Sequence, residues 1–391
     1  MVHPKTKPSI LLVDQYFGPL SSDVSRGLTD LYDVTVFQSF SYSRHNIFYR
    51  IVTWLAYSLH FYIYILFNYR KFTFLLLYSN PPLLLFFSFI LPIKYGFIVY
   101  DLYPDILIEY LSIQRFVAFP FPAFILIKFL KLSRYLVARS LSRANFVFSV
   151  SHSIAAVLKS CNYSCYKRIN VSVVYPWSSL DNTTSVLTTT NHSFLPENLL
   201  FLYSKPYFLY SGNIGFSHPI NSFLDLALHM YSCFDFNIVF CVNDQSLSLL
   251  APYLQQDKYS VLPIVRLTPQ PDLTYTQLLK NSFFTLLATD SFSSRFSIPS
   301  KFFASLANGK PVICVSPLKS EIANIISCYS CGVVVPLDSP NYASISFQIS
   351  TILNNQMVLK QYSANSLFAY NELCVSSLPT ILSCVSQSAP R

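Results

Sequence analysis

The chain has 391 residues, of which 52% are hydrophobic, 17% aromatic and 12% charged, and its mean hydropathy is +0.40. So little charge excludes a disordered chain or a coiled coil, and seven glycines exclude a collagen-like repeat. Lys and Arg outnumber Asp and Glu 27 to 18, a net charge of +9, which points to an anionic partner such as a phosphorylated small molecule or acidic lipid headgroups. With no run of five basic residues and no zinc-finger or RNP-type motif, nucleic acid is not expected.

Nine cysteines are an odd number. Cys328-Tyr-Ser-Cys331 has the gap of a zinc or redox motif, but no second pair follows at metal-binding spacing. Free buried thiols in a reducing compartment are expected there, and no metal site. Cys161 and Cys165 are the other close pair. Asn162, Asn170, Asn182 and Asn191 open Asn-x-Ser/Thr triplets that a Ser-rich chain produces by chance. The polar start and the short apolar run at 10–13 do not make a signal peptide.

Apolar runs at 9–13 and 34–37 predict two buried strands, with 14–25 between them read as a loop. Residues 47–69 predict a long helix. It has no charge from 51 to 69 except at its flanks, Arg50 and Arg70-Lys71, and fits a membrane span by length. Thr53, Tyr57, His60 and Tyr64 share one helical stripe, however, and Ile51, Val52, Leu55, Leu59, Ile63 and Leu66 another. Two faces predict a helix that lies on a membrane surface rather than one that spans it. Strands follow at 74–78 and 96–100 with an apolar helix at 83–90 between them. A basic helix at 121–142 and strands at 145–150 and 171–174 complete the first half. Residues 181–198, rich in Asn, Thr and Ser, read as a linker.

A second alternation then begins. Strands are predicted at 207–211, 237–242, 261–266, 284–288, 311–315 and 332–335, with helices at 219–231, 246–254, 274–280 and 299–307 and more to the C-terminus. Strands alternating with helices argue parallel sheets covered on both faces. The fold class is therefore α/β: two Rossmann-like, doubly wound domains facing a cleft. The expected division is 1–180, linker 181–198, and 199–391, with the last helix free to pack back on the first domain. Ligands of such sheets bind beyond the carboxyl ends of the strands.

Three short segments carry candidate chemistry. Gly212 and Gly215 bracket a strand-to-helix turn that suits a phosphate, or is a plain tight turn. Ser297-Ile-Pro-Ser-Lys301 starts a helix with Lys301 on its first turn. A cation is unfavourable there unless an anion binds, and the alternative is a solvated lysine. Asp101-Leu-Tyr-Pro-Asp105 follows a strand, where its carboxylates either meet a sugar hydroxyl or cap a helix. There is no Asp-x-Asp, no Gly-x-Gly-x-x-Gly and no Gly-x-Ser-x-Gly. A metal–diphosphate clamp, a nicotinamide cofactor and a serine hydrolase are therefore not supported.

Four segments, in this order, resemble blocks of the family 4 glycosyltransferases, in particular the bacterial branch acting in capsule and O-antigen synthesis. They are Gly96-Phe-Ile-Val-Tyr-Asp-Leu-Tyr-Pro-Asp105, Tyr210-Ser-Gly-Asn-Ile-Gly215, Ile298-Pro-Ser-Lys-Phe-Phe303 and Leu306-Ala-Asn-Gly-Lys-Pro-Val-Ile313. The resemblance covers nearly the whole chain. It implies a GT-B fold and retaining, metal-independent transfer of a hexosyl or N-acetylhexosaminyl group from a nucleotide-diphosphate sugar to a lipid-linked glycan, with no cofactor. On this resemblance Gly212, Asn213 and Gly215 lie beside the donor diphosphate with Lys301 and its neighbour Ser300, Glu321 is a further polar donor contact, and Asp101 is the acidic position near the donor sugar and acceptor; the strand-end reading adds Asp105 as a second catalytic carboxylate, and Arg295 is expected among the donor contacts. The implied location is the cytoplasmic face of the cell membrane, peripheral on anionic lipid. The chain departs from the family at Phe296 and Ala304, where two glutamates are common. It departs again at Phe216, Ser217 and His218, where Arg and Lys are common; Arg295 is the candidate replacement. An epimerase on the same fold and a catalytically inactive scaffold are the alternatives.

Overall fold

The computed structural model describes residues 7–40, 47–106, 108, 123–160, 169–177, 195–215 and 218–389. Cys161, Cys165, Asn162, Asn182, Asn191, Phe216, Ser217 and residues 181–194 of the expected linker lie outside them. The chain divides into two compact units. One comprises Met1–Ser179, Phe296–Ile298 and Cys374–Arg391, the other Leu180–Arg295 and Pro299–Leu373.

The first unit is a six-stranded, wholly parallel sheet. Its strands are β1 (Ser9–Val13), β2 (Asp33–Val36), β3 (Phe74–Tyr78), β4 (Tyr95–Val99), β5 (Val147–Ser149) and β6 (Val171–Val173), in the order β2-β1-β3-β4-β5-β6. β3 and β4 are buried along their whole length. This is why they read as unbroken apolar runs: helices cover both faces of a parallel sheet. The register of β1 on β3 runs from Ile10 opposite Phe74 to Val13 opposite Leu77. One further step sets Asp14 beside Tyr78.

The second unit repeats the plan with strands β7 (Tyr207–Ser211), β8 (Asn237–Cys241), β9 (Ile264–Leu267), β10 (Phe284–Ala288), β11 (Val312–Ser316) and β12 (Gly332–Pro336). Their order is β12-β11-β10-β7-β8-β9. Counted from β7, this is the doubly wound order of dinucleotide-binding domains. One face of the sheet is covered by a large aromatic and aliphatic core that includes Phe208, Tyr210, Phe236 and Phe240, the other by Leu195, Leu199, Leu278 and Leu279.

Every expected strand is present; β1, β3, β7 and β10 match at both ends, and no end of the others is shifted by more than three residues. The expected loop at 14–25 is corrected: Pro19–Leu28 is a helix. Gly18 is its N-cap and Pro19 starts it, and Leu20, Val24 and Leu28 bury one stripe. The serines and Asp23 between them masked the periodicity. Gly309 ends the helix Ser300–Ala307 with φ +63, as its place after Ala307-Asn308 predicts. Cys328 and Cys331 are free, at the end of the helix Glu321–Tyr329 and the entry to β12; Cys331 is buried as expected, but Cys328 is exposed because it faces outward on the last turn of the helix.

The helix Ile47–Asn68 has the two expected faces. Tyr57, Phe61 and Ile65 are buried, and Phe37, just past β2, packs its ring on Tyr57, His60, Phe61 and Tyr64. The aliphatic stripe points outward: Val52, Leu55, Leu59, Ile63 and Leu66 are all exposed, Leu59 by 63% and Leu66 by 66%. Among the described residues one helical segment, Tyr49–Lys71, is long and apolar enough to cross a membrane, and only 22% of its most apolar window is buried. Phe87 on the helix Leu83–Phe87, Ile90 in the turn Ser88–Ile90 after it, and Phe129 and Leu132 on the helix Ala123–Arg143 are also exposed, and those two helices pack together.

Candidate functional site

In the second unit β7 and β10 are neighbours whose connections depart to opposite sides, toward β8 and β11. Such a reversal opens a crevice at the carboxyl ends of the strands. Gly212 stands just past β7. Its N–H donates to Cys241 O at 2.9 Å, and its backbone then turns with φ +80, a conformation that favours glycine. Ile214 N–H donates to Ser246 Oγ at 2.8 Å and Gly215 N–H to His218 Nδ1 at 3.0 Å. Among the described residues the Asn213 N–H alone in this turn has no acceptor. Asn243 fixes the Asn213 side chain, Nδ2 to Oδ1, at 3.0 Å. The loop amides are thus mostly committed to shaping the turn.

The charge comes from the other strand end. After β10, the Asp290 carboxylate accepts from Ser293 N–H at 2.7 Å, Ser293 Oγ at 2.8 Å and Phe292 N–H at 3.2 Å, which holds the turn Ser293–Arg295. The helix Ser300–Ala307 follows. It starts one residue later than expected, with Pro299 as its N-cap, and no side chain caps it. Lys301, on its first turn, extends back across the crevice. Its Nζ lies 3.4 Å from Asn213 O and 4.8 Å above the Tyr210 ring. A Cβ on residue 212 would come within 2.9 Å of Lys301 Cε. Burial pulls the Lys301 ammonium down to about 8, and no carboxylate offsets it.

His218, absent from the expected site residues, completes the constellation. Its Nδ1 accepts from Gly215 N–H, so that nitrogen carries no proton, and it lies 3.0 Å from Tyr210 Oη. Burial, and then the Lys301 charge, push its pKa down to about 4 against the opposing pull of Asp290. The ring is therefore neutral at pH 7. Its place three residues past Gly215 and that of Asp290 two past a strand end were visible signals, but their roles come from tertiary contacts.

The structure brings Gly212, Asn213, Gly215 and Lys301 together around Tyr210 and His218. Ser300 and Arg295 are exposed near the same strand end, and Glu321 opens the helix after β11, whose N-cap Ser320 accepts from Ala323 N–H. Phe296 is buried and Ala304 lies in the helix Ser300–Ala307. Among the described residues no three His, Cys, Asp or Glu side chains gather as a metal-holding group.

In the first unit Asp101 and Asp105 follow β4. Burial raises the Asp101 carboxyl, against a hydrogen bond from Ser297 and the positive charge of Arg50. Asp105 is 1% exposed and paired with Arg134 at 2.6 Å, so its carboxylate anchors the helix Ala123–Arg143.

The two sheets, their order and the strand-end crevice define the GT-B fold. Solved structures similar over nearly the whole chain agree with it. HepE of Anabaena in complex with UDP and glucose matches with a TM-score of 0.61 at 12% identity, covering 97% of this chain and 98% of that one. WaaG, a glycosyltransferase involved in lipopolysaccharide biosynthesis, matches with a TM-score of 0.60 at 11% identity, covering 98% and 100%. An E. coli trehalose-6-phosphate protein bound with UDP-2-fluoro glucose matches with 0.64 at 9%, covering 98% and 100%. No family model and no curated protein sequence matches the chain.

Proposed function

We propose that the protein is a glycosyltransferase that takes a hexosyl or N-acetylhexosaminyl group from a nucleoside-diphosphate donor. The observation that carries this reading is Lys301. A largely buried ammonium without a carboxylate, on a helix start at a β7/β10 reversal, is poised for an anion. A nucleoside diphosphate supplies one, and the complexes of similar folds hold UDP or a UDP sugar. As the sugar–phosphate bond breaks, charge grows on the departing diphosphate, where Lys301 and the Asn213 N–H stabilise it. On this reading no metal is required and the configuration is retained. Gly215, Arg295, Ser300 and Glu321 complete the donor contacts. Asp101 receives the acceptor side in the first unit, while Asp105 holds its loop.

The outward aliphatic stripe of Ile47–Asn68, with Arg70 and Lys71 exposed at its end, supports a peripheral location on anionic lipid, at the cytoplasmic face. The acceptor is then a lipid-linked glycan of surface-polysaccharide synthesis. Calorimetric titration with UDP and with uridine tests the donor site. Wild-type protein should bind UDP, and Lys301→Ala should weaken it tenfold or more, since a charge-assisted bond to phosphate is worth about 1.5–3 kcal/mol. Uridine affinity should stay the same. Equal binding of UDP by wild type and variant would sink the assignment.

A further inference from the structure

Gly215 and His218 are hydrogen-bonded twice. His218 N–H donates to Gly215 O at 3.0 Å, and Gly215 N–H donates back to His218 Nδ1 at 3.0 Å. Among the described residues nothing else accepts from that amide. Asn243 and Ser246 fix the rest of the turn, through the Asn213 side chain and the Ile214 N–H. The histidine thus closes the end of the turn that runs toward the helix Ile220–Tyr231, which no side chain caps.

From Nδ1 the contacts run on to the lysine. Tyr210 Oη lies 3.0 Å from Nδ1 and 3.4 Å from Asn213 O, and Lys301 Nζ reaches the same carbonyl oxygen at 3.4 Å. The Tyr210 and His218 rings meet edge to face with centroids 6.4 Å apart, and the ammonium lies 4.8 Å over the tyrosine. Tyr210 is buried, and burial pushes its hydroxyl above the ordinary tyrosine value, so the proton stays on. That proton has two acceptors in reach, Nδ1 and Asn213 O. The carbonyl on which Lys301 rests is therefore held through Tyr210 and His218. The lysine's path has no spare room, since a Cβ on residue 212 would come within 2.9 Å of its Cε. A turn that shifts takes the ammonium with it.

We infer that His218 is a positioning residue of the donor site, which locks the turn 212–215 in the shape that seats Lys301 and acts as a hydrogen-bond acceptor rather than as a charge. This rests on the glycosyltransferase reading above and deepens it by naming what holds the diphosphate's cation in place. A ring protonated on both nitrogens would give up the Gly215 amide and repel the ammonium. Burial and then the Lys301 charge pull the imidazole down to about 4, with Asp290 acting the other way, so it is neutral over the range in which Lys301 is charged. With Nδ1 accepting, the single ring proton sits on Nε2.

The test compares His218→Asn with His218→Phe in the full chain. Asparagine sets an amide oxygen close to where Nδ1 stands and still accepts from Gly215 N–H. Phenylalanine keeps a flat ring and accepts nothing. In the free protein, NMR of isotope-labelled lysine should find Lys301 titrating at about 8 in wild type and in His218→Asn. In His218→Phe it should titrate about one pH unit higher or more, because an unseated ammonium gains water. In calorimetry His218→Phe should bind UDP about fivefold more weakly or worse, the worth of one hydrogen bond, while His218→Asn stays within about twofold of wild type. Uridine affinity should hold in both, which separates a displaced lysine from a damaged fold. Tyr210→Phe, which deletes only the hydroxyl between Nδ1 and Asn213 O, should move the lysine titration the same way and serves if His218→Phe does not fold. Histidine nitrogen NMR of wild type should show the proton on Nε2. An unmoved lysine titration in His218→Phe or Tyr210→Phe, a His218→Asn as impaired as His218→Phe, or a proton on Nδ1 would overturn the inference. The lysine titration needs no ligand, so a wild type that fails to bind UDP would remove the donor reading and leave the role of His218 toward Lys301 standing.

Discussion

Gly212 and Lys301 occupy one another's space: the hydrogen at Gly212 Cα faces the lysine stem where a methyl group would come within 2.9 Å of Cε and 3.1 Å of Nζ. The glycine is needed twice, for φ +80 and for the lysine's path. Gly212→Ala should cost about 1–2 kcal/mol of stability from the left-handed backbone. It should also displace Lys301 and weaken UDP binding about tenfold. The double variant Gly212→Ala, Lys301→Ala should bind UDP no worse than Lys301→Ala alone, because the displaced group is already gone. Additive losses in calorimetry would show that the two residues act separately.

The buried Lys301 gives donor binding a pH dependence with a definite sign. Its pKa in the free protein is about 8, and a bound diphosphate raises it. Below pH 8 the ammonium is charged in both states and affinity is level. Above it, binding must take up a proton, so UDP affinity should fall by up to about tenfold per pH unit, since a unit of pKa is about 1.4 kcal/mol. Lys301→Arg keeps its charge throughout and should lose this dependence, whatever its absolute affinity. Parallel pH profiles for the two proteins would rule out Lys301 as the titrating group.

His218 and Asp14 give the two units opposite acid responses. His218 is held near 4 by burial, below its ordinary 6.5. The unfolded chain binds the extra proton between those values, so this group's contribution is complete above 6.5 and lost as the pH falls to 4. Asp14 is raised to about 6 by burial. The folded chain then holds the proton, and its contribution is complete below the ordinary carboxylate value and lost as the pH rises through 6. Denaturant titrations between pH 4 and 7 should show a shallower acid loss in His218→Gln than in wild type and a steeper one in Asp14→Asn. The same slope in all three proteins would contradict both assignments.

Asp101 offers a kinetic counterpart. If its carboxyl meets the reacting sugars, Asp101→Asn should lower turnover at least about tenfold with UDP affinity unchanged. Wild-type turnover in that variant would leave it a structural partner of Ser297 and Arg50.

The sheets were legible in the sequence because parallel strands buried on both faces leave unbroken runs such as Phe74-Leu-Leu-Leu-Tyr78. Lys301 was legible too, because Pro299 marks a helix start and a lysine beside it is anomalous. The helix Pro19–Leu28 was not, since Ser21, Ser22 and Asp23 interrupt its apolar stripe. The pairing of Asp14 with Tyr78 was invisible for another reason. Nothing near Asp14 in the chain announces Tyr78; strand register brings them together. His218 likewise gains its neutral ring only from Tyr210, Lys301 and burial.

The remaining prediction concerns the outward face of the helix Ile47–Asn68. Leu59 and Leu66 are more than 60% exposed, while Tyr57 on the opposite face donates to Phe37 O at 3.0 Å and is buried. Folding alone gives no reason for the outer leucines. Lodging each in lipid would contribute about 1.5–3 kcal/mol, and Arg70 and Lys71 about 1 kcal/mol each near an anionic surface. Leu59→Glu with Leu66→Glu should therefore reduce sedimentation with phosphatidylglycerol-containing vesicles by a hundredfold or more. The melting temperature should hold, because exposed substitutions stay within about 0.5 kcal/mol. Arg70→Gln with Lys71→Gln should lose less and should erase most of the sensitivity to salt. Wild-type protein that stays on membranes through high salt and alkaline carbonate would indicate a spanning helix. Vesicle binding unaffected by the glutamates would place the contact elsewhere, and the exposed stripe would then have no role at the lipid surface.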